Sequence, residues 1–169
     1  MKNSILLIIL LIIGSDQANG QLLRQFQDCY PTEKYDILIK EITKLDSLIS
    51  KEYPSHNLKS SYAAYGKDWF ENKGRLKSLY NSEVLTIIKA DFDKHKIFND
   101  SDYKNCLNKL NDKKIDVFVE MYEDKEEKEN GALYVLLISL DQVEEEYIRP
   151  LDFLVLRAEL LRNYLNSAL

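Results

Sequence analysis

Apolar residues recur at intervals of three and four along most of this chain, and that recurrence predicts helices. The longest stripe is Tyr35, Leu38, Ile39, Ile42, Leu45, Leu48 and Ile49. It follows "CYPTEKYD", where Thr32 is a fair N-cap and Glu33 lies in the first turn, and Pro54 stops it. Lys40, Glu41, Lys44 and Lys51 fall on the opposite side, which the pattern assigns to water. Leu58, Tyr62, Tyr65 and Trp69 mark a second helix that ends near Gly74, and the small residues Ala63, Ala64 and Gly66 within it suit close helix packing. Asn81 or Ser82 caps a third, with Val84, Leu85, Ile88 and Phe92 facing inward. Ser101 caps a short fourth, in which Tyr103, Cys106, Leu107 and Leu110 share a face. After Pro150, the residues Leu151, Leu154, Val155, Ala158, Leu161 and Leu165 outline a last amphipathic helix, with Arg157 and Arg162 on or beside its wet side.

One stretch fits two templates. In "KKIDVFVEMYEDKEEKENGALYVLLISL", Ile115, Val117, Val119 and Met121 alternate with other residues as a strand would, yet Ile115, Phe118, Val119 and Tyr122 also match a helix. Two strands here would make "EDKEEKENG" a hairpin loop. The second run favours a helix, because Leu133, Leu136, Leu137, Leu140, Val143 and Tyr147 keep the helical period into "DQVEEEY". Beyond residue 20 only Gly66, Gly74 and Gly131 and Pro31, Pro54 and Pro150 punctuate the chain, too few for a sandwich or barrel. The expected fold is mainly α, an irregular bundle of five to seven helices in one domain over 21–169, with a β-hairpin at 114–140 as the alternative.

The first residues follow a different pattern. "MKNSILLIILLIIGSDQANGQ" joins one lysine, a short Leu/Ile run and a small-residue stretch, the three regions of a secretory signal peptide, with cleavage expected before Gln21. The run is too short to span a bilayer, which takes about 20 apolar residues, so no membrane anchor is expected after cleavage. Export to a periplasm or the cell exterior changes what the two cysteines mean. Cys29 and Cys106 would meet oxidising conditions, and a disulfide between them is expected.

Charge narrows the partners. The chain has 23 Lys+Arg and 28 Asp+Glu, a formal net charge of -5, and its basic residues are interleaved with acids rather than gathered on a stripe. A nucleic-acid partner is therefore not expected.

Candidate chemistry is sparse. His56 and His95 are the only histidines, which excludes the two-histidine zinc motif. Asp91 and His95 sit four apart on one helical face, a spacing that a solvated pair explains as well as a shared ligand does. "NDSD" lacks the alternation and final glutamate of a calcium loop, so no metal is expected. No glycine-rich phosphate loop, dinucleotide fingerprint or nucleophile elbow occurs, and no cofactor is expected. A Cys–His nucleophile would need a reduced thiol in an oxidising compartment. The aromatic stripe Tyr62, Tyr65 and Trp69 is the candidate binding face, although aromatics at helical spacing are usually core. These features point to an exported, non-enzymatic binding or protein-interaction module whose partner is a protein, peptide or glycan. The alternative is a secreted hydrolase using a carboxylate pair that spacing along the chain cannot reveal.

Overall fold

The computed structural model describes residues 21–72, 79–98, 101–110, 130–142 and 148–167. Among them the chain forms helices and no strands: α1 (21–29), α2 (Thr32–Glu52), α3 (Leu58–Glu71), α4 (Ser82–His95), α5 (Ser101–Lys109), α6 (Asn130–Ser139) and α7 (Pro150–Ser167). The fold is the expected irregular helical bundle. The hairpin alternative fails because α6 occupies its second arm as a helix. Its first arm, residues 1–20 with their expected signal peptide, Gly74, and the continuation through Val143 and Tyr147 lie outside the described residues.

The helix ends follow local chemistry. Pro31 precedes α2 and no side chain caps it, so Thr32 is the first helical residue rather than its cap. Asn57 Oδ1 accepts from the Ser60 amide at 2.8 Å, and Asn81 Oδ1 accepts from Val84 N at 2.7 Å, satisfying orphan donors at the starts of α3 and α4. Helix α4 stops at Lys96, whose left-handed backbone (φ 54°) lets the Ile97 amide return to Phe92 O at 3.0 Å. Helix α6 ends earlier than its apolar period suggests. Leu140, Asp141 and Gln142 donate to carbonyls three residues back, tightening the last turn and closing the helix.

Helix α7 is the centre of the bundle. It packs against α2, α4 and α6, and residues 151–156 are buried without interruption. The predicted wet side is therefore largely missing: Asp152 and Glu159 are buried, and Arg157 is only partly exposed. The burial of Asp152 is offset by Arg149, whose Nε and Nη2 donate to its two oxygens at 2.9 and 2.6 Å, while the Arg149 amide faces the same carboxylate at 3.3 Å. A charge-assisted fork of this kind also completes the start of α7, where Pro150 supplies no N–H.

The tightest seam joins α3 to α6. Helix α6, "NGALYVLLIS", is apolar on almost every side, as a buried helix must be. Gly66 lets it approach: a Cβ built there would lie 2.8 Å from Leu137 Cβ and 3.0 Å from the Tyr134 carbonyl oxygen. Ala63 is buried on the same helix while Ala64 faces solvent.

Cys29 and Cys106 form a disulfide, with Cα atoms 5.6 Å apart. The bond fastens α1 to α5. Around it Phe26 stacks on Tyr30 at 5.4 Å and meets the edge of Tyr103 at 6.0 Å, and Tyr30 Oη donates to Ile97 O at 2.8 Å. Lys34 adds an ion pair to Asp102 at 2.7 Å. The short N-terminal helix, which could not hold its place alone, is thus held to α5 by the disulfide and by the packing of Phe26, while Lys34 ties α2 to the same helix.

Candidate binding cleft

The aromatic stripe of α3 faces inward. Tyr62 and Tyr65 are 0 % and 1 % exposed, so neither presents a surface to a ligand. Tyr62 Oη donates to Asp46 Oδ1 at 2.7 Å and its ring meets Phe153 edge-on at 5.5 Å. Tyr65 Oη lies 2.6 Å from Tyr164 Oη. Burial pushes both phenols well above their ordinary range, so they act here as neutral hydrogen-bonding groups. Trp69 keeps partial exposure but lies flat on Tyr134, centroids 4.2 Å apart and planes 3° from parallel. The stripe is the packing surface between α3, α6 and α7, because small residues beside it let the neighbouring helices close over it.

The two histidines are likewise committed to structure. His95 Nδ1 is 3.3 Å from Glu33 and Nε2 is 3.6 Å from Asp91, bridging the end of α4 to the start of α2. Among the described residues no three His, Cys, Asp or Glu side chains are grouped to hold a metal ion. His56 Nε2 lies 3.1 Å from Ser60 Oγ, and Ser60 Oγ donates to Asp141 Oδ1 at 2.9 Å. These are triad residue types in the wrong order. With the serine hydrogen given to Asp141, the imidazole is the donor to Oγ rather than its base, and Ser60 is buried. Both cysteines are disulfide-bonded, so neither offers a thiolate.

Among the described residues a cleft of about 320 Å³ is open. Leu23 of α1 forms one wall. Tyr35 and Ile39, four residues apart on α2, form the next, and Phe153, Leu154 and Arg157 of α7 form the floor, with Lys59, Ile148 and Pro150 at the margin. Six of these nine residues are aliphatic, proline or phenylalanine, and none is acidic. The volume is at the lower end of the range of small-molecule sites, roughly 300–1,000 Å³. Four elements build it, and the disulfide holds one of them in place.

Arg157 is the best-ordered polar group of the cleft. Its Nη1 donates to Asp46 Oδ2 at 2.6 Å, its Nε donates to Phe153 O at 3.1 Å, and its guanidinium lies over the Phe153 ring at 4.4 Å. Asp46 thereby gathers Arg157 and Tyr62 into one part-buried polar knot. A second, smaller cavity of about 120 Å³ is bordered by Lys89, Phe92, Asp93, Phe98, Arg162, Leu165 and Asn166. Neither cavity is lined by two carboxylates.

Sequence periodicity missed this site because its residues are scattered from position 23 to 157 and only the fold unites them. The local signal available is a pair of four-residue spacings, Tyr35 to Ile39 and Phe153 to Arg157, each setting two lining residues on one helical face. No family model, curated protein or solved structure matches the chain. Function is accordingly argued from the site.

Proposed function

We propose that the protein is an exported, non-enzymatic binding module whose ligand seat is the apolar cleft between α1, α2 and the first half of α7. The carrying observation is a concave, mostly apolar site with a fixed polar group at its edge, the usual make-up of a ligand pocket. Of the protein, peptide or glycan expected from the sequence, an apolar group on a peptide suits this lining better than a glycan, whose hydroxyls would meet few acceptors there, and an apolar small molecule suits it as well. The disulfide supports an oxidising compartment, in keeping with the leader-like first residues. Among the described residues no helix is long and apolar enough to cross a membrane. The hydrolase alternative draws no support from either cavity.

Binding of the neutral, apolar dye N-phenyl-1-naphthylamine to the oxidised protein tests this reading. Saturable binding near one site per chain is expected, and Ile39→Trp, which fills the cleft from a half-buried position, should remove it while leaving the thermal transition in place. Binding that is unsaturable, or that survives the filled cleft, would overturn the assignment. Export is checked by the mass of the secreted protein, which should lack residues 1–20; an intracellular protein with reduced cysteines would contradict it.

A further inference from the structure

The cleft is selective in charge, and that selectivity points to a ligand class. The chain as a whole is acidic, with a formal net charge of -5, yet the ionisable groups among the described residues lining the cleft are Lys59, Arg157 and the phenol of Tyr35. Every one of them can donate a hydrogen bond, and none is a carboxylate. Among the described lining residues, an anion entering here meets donors on an apolar floor, whereas a cation meets no carboxylate.

Arg157 gives this a geometry. A guanidinium has five N–H groups; one goes to Phe153 O and one to Asp46, which leaves three, including both on Nη2, without an acceptor among the described residues. The side chain is only 17 % exposed. It is held by its salt bridge, by its bond to the backbone and by stacking on Phe153, so its remaining donors are fixed in direction. A pre-organised guanidinium loses little freedom on engaging a planar carboxylate. Tyr35 lines the same cleft; its Oη already accepts from Gln27 Nε2 at 2.7 Å, and its own hydrogen has no acceptor among the described residues. Two donors on different helices therefore border a largely apolar space with no acid among its described lining residues.

We infer that the ligand is an amphipathic monocarboxylate, an aryl-alkanoic or medium-chain alkanoic acid. Its carboxylate meets Arg157 and Tyr35, and its apolar body lies against Leu23, Ile39, Phe153 and Leu154. This rests on the assignment of the cleft as the binding site, and adds the class of molecule it selects.

The test is displacement of N-phenyl-1-naphthylamine from the full oxidised protein by decanoate, decanamide and decylammonium, with 3-phenylpropionate and its amide as an aromatic pair. Decanoate should bind at least about tenfold more tightly than decanamide, as expected for gaining a hydrogen bond to a charged group, and decylammonium should bind weakest. In the Asp46→Asn/Arg157→Gln double variant, which removes both charges without stranding either, the acid-to-amide ratio should fall towards one. Tyr35→Phe should lower it severalfold. The ratio in the unaltered protein decides the matter even if the double variant does not fold. Dye binding with acid and amide equally effective would overturn the carboxylate preference and leave the cleft assignment standing. Absence of dye and acid binding alike would overturn both.

Discussion

Replacing Gly66 with alanine sets two effects of opposite sign against each other. Within a helix, alanine is favoured over glycine by about 1 kcal/mol because it restricts the unfolded chain and shields the backbone. At this position the added methyl would lie 2.8 Å from Leu137 Cβ, 3.0 Å from Tyr134 O and 3.3 Å from Ile138 Cγ1. Carbon atoms prefer a separation of about 3.5–4.0 Å. The two nearest atoms belong to the α6 backbone or are bonded directly to it, so no rotamer change relieves the clash and the helices must part. Overpacking of a tight core costs about 1–3 kcal/mol, and a rigid neighbour places this case in the upper part of that range. Subtracting the helix preference leaves Gly66→Ala less stable by about 1–2 kcal/mol, or roughly 3–6 °C in Tm for a domain of this size. Gly66→Val, with two further methyls and a β-branched side chain, should fall further. Urea and thermal unfolding followed by far-ultraviolet circular dichroism reads both variants. A Gly66→Ala protein as stable as the parent, or more so, would mean that α3 and α6 do not meet backbone to backbone, and the description of that seam would have to be abandoned.

Other outcomes follow from features remote from that seam. Reducing the Cys29–Cys106 bond, which links residues 77 apart, should remove about 4.5 kcal/mol by loop entropy, measured as the difference in unfolding free energy with and without reductant. Burial pushes the Glu159 carboxyl up from 4.5 to about 7, partly opposed by Arg162 and Tyr103. The folded state thus holds this proton more tightly than the unfolded one, and the associated stability is complete below about pH 4.5 and lost as pH rises through 7. Its size is on the order of 3 kcal/mol. Glu159→Gln should flatten this part of the curve of urea midpoint against pH, and an unchanged slope would show that the group does not carry it. Asp46→Ala should cost about 2–4 kcal/mol, because it strands both the Arg157 guanidinium and the Tyr62 hydroxyl; a melting temperature within a degree of the parent would contradict the polar knot.

Periodicity revealed the helices that have one wet face. The stripes of α2 and α5 occupy the core much as read, with Leu38, Ile42, Leu45, Ile49, Tyr103, Cys106 and Leu107 all buried. It failed where burial depends on how many neighbours surround a helix. Glu41 and Glu159 look like water-facing acids in their registers, yet both are buried, Glu41 beside Lys44 at 2.6 Å and Glu159 beneath Arg162. Val84 fits the apolar face of α4 but is 40 % exposed, since no described helix covers that edge. The disulfide was legible from two cysteines and a leader-like start, because compartment decides what a thiol pair does. The cleft was not, because its walls meet only after α1 has been tied to the body and α7 has been placed at the centre. Arg157, read as a solvent-facing charge, became the most constrained cation of the site through an aspartate 111 positions away.

The chain has a single tryptophan, and it is the residue that lies flat on Tyr134 across the α3–α6 seam. Its emission can therefore be excited apart from that of the eleven tyrosines and reports one junction in the molecule. Trp69 does not line the cleft. Its spectrum should stay constant while a ligand enters there and shift when α6 lifts from α3, so occupancy and integrity can be followed as separate optical signals in one unlabelled sample.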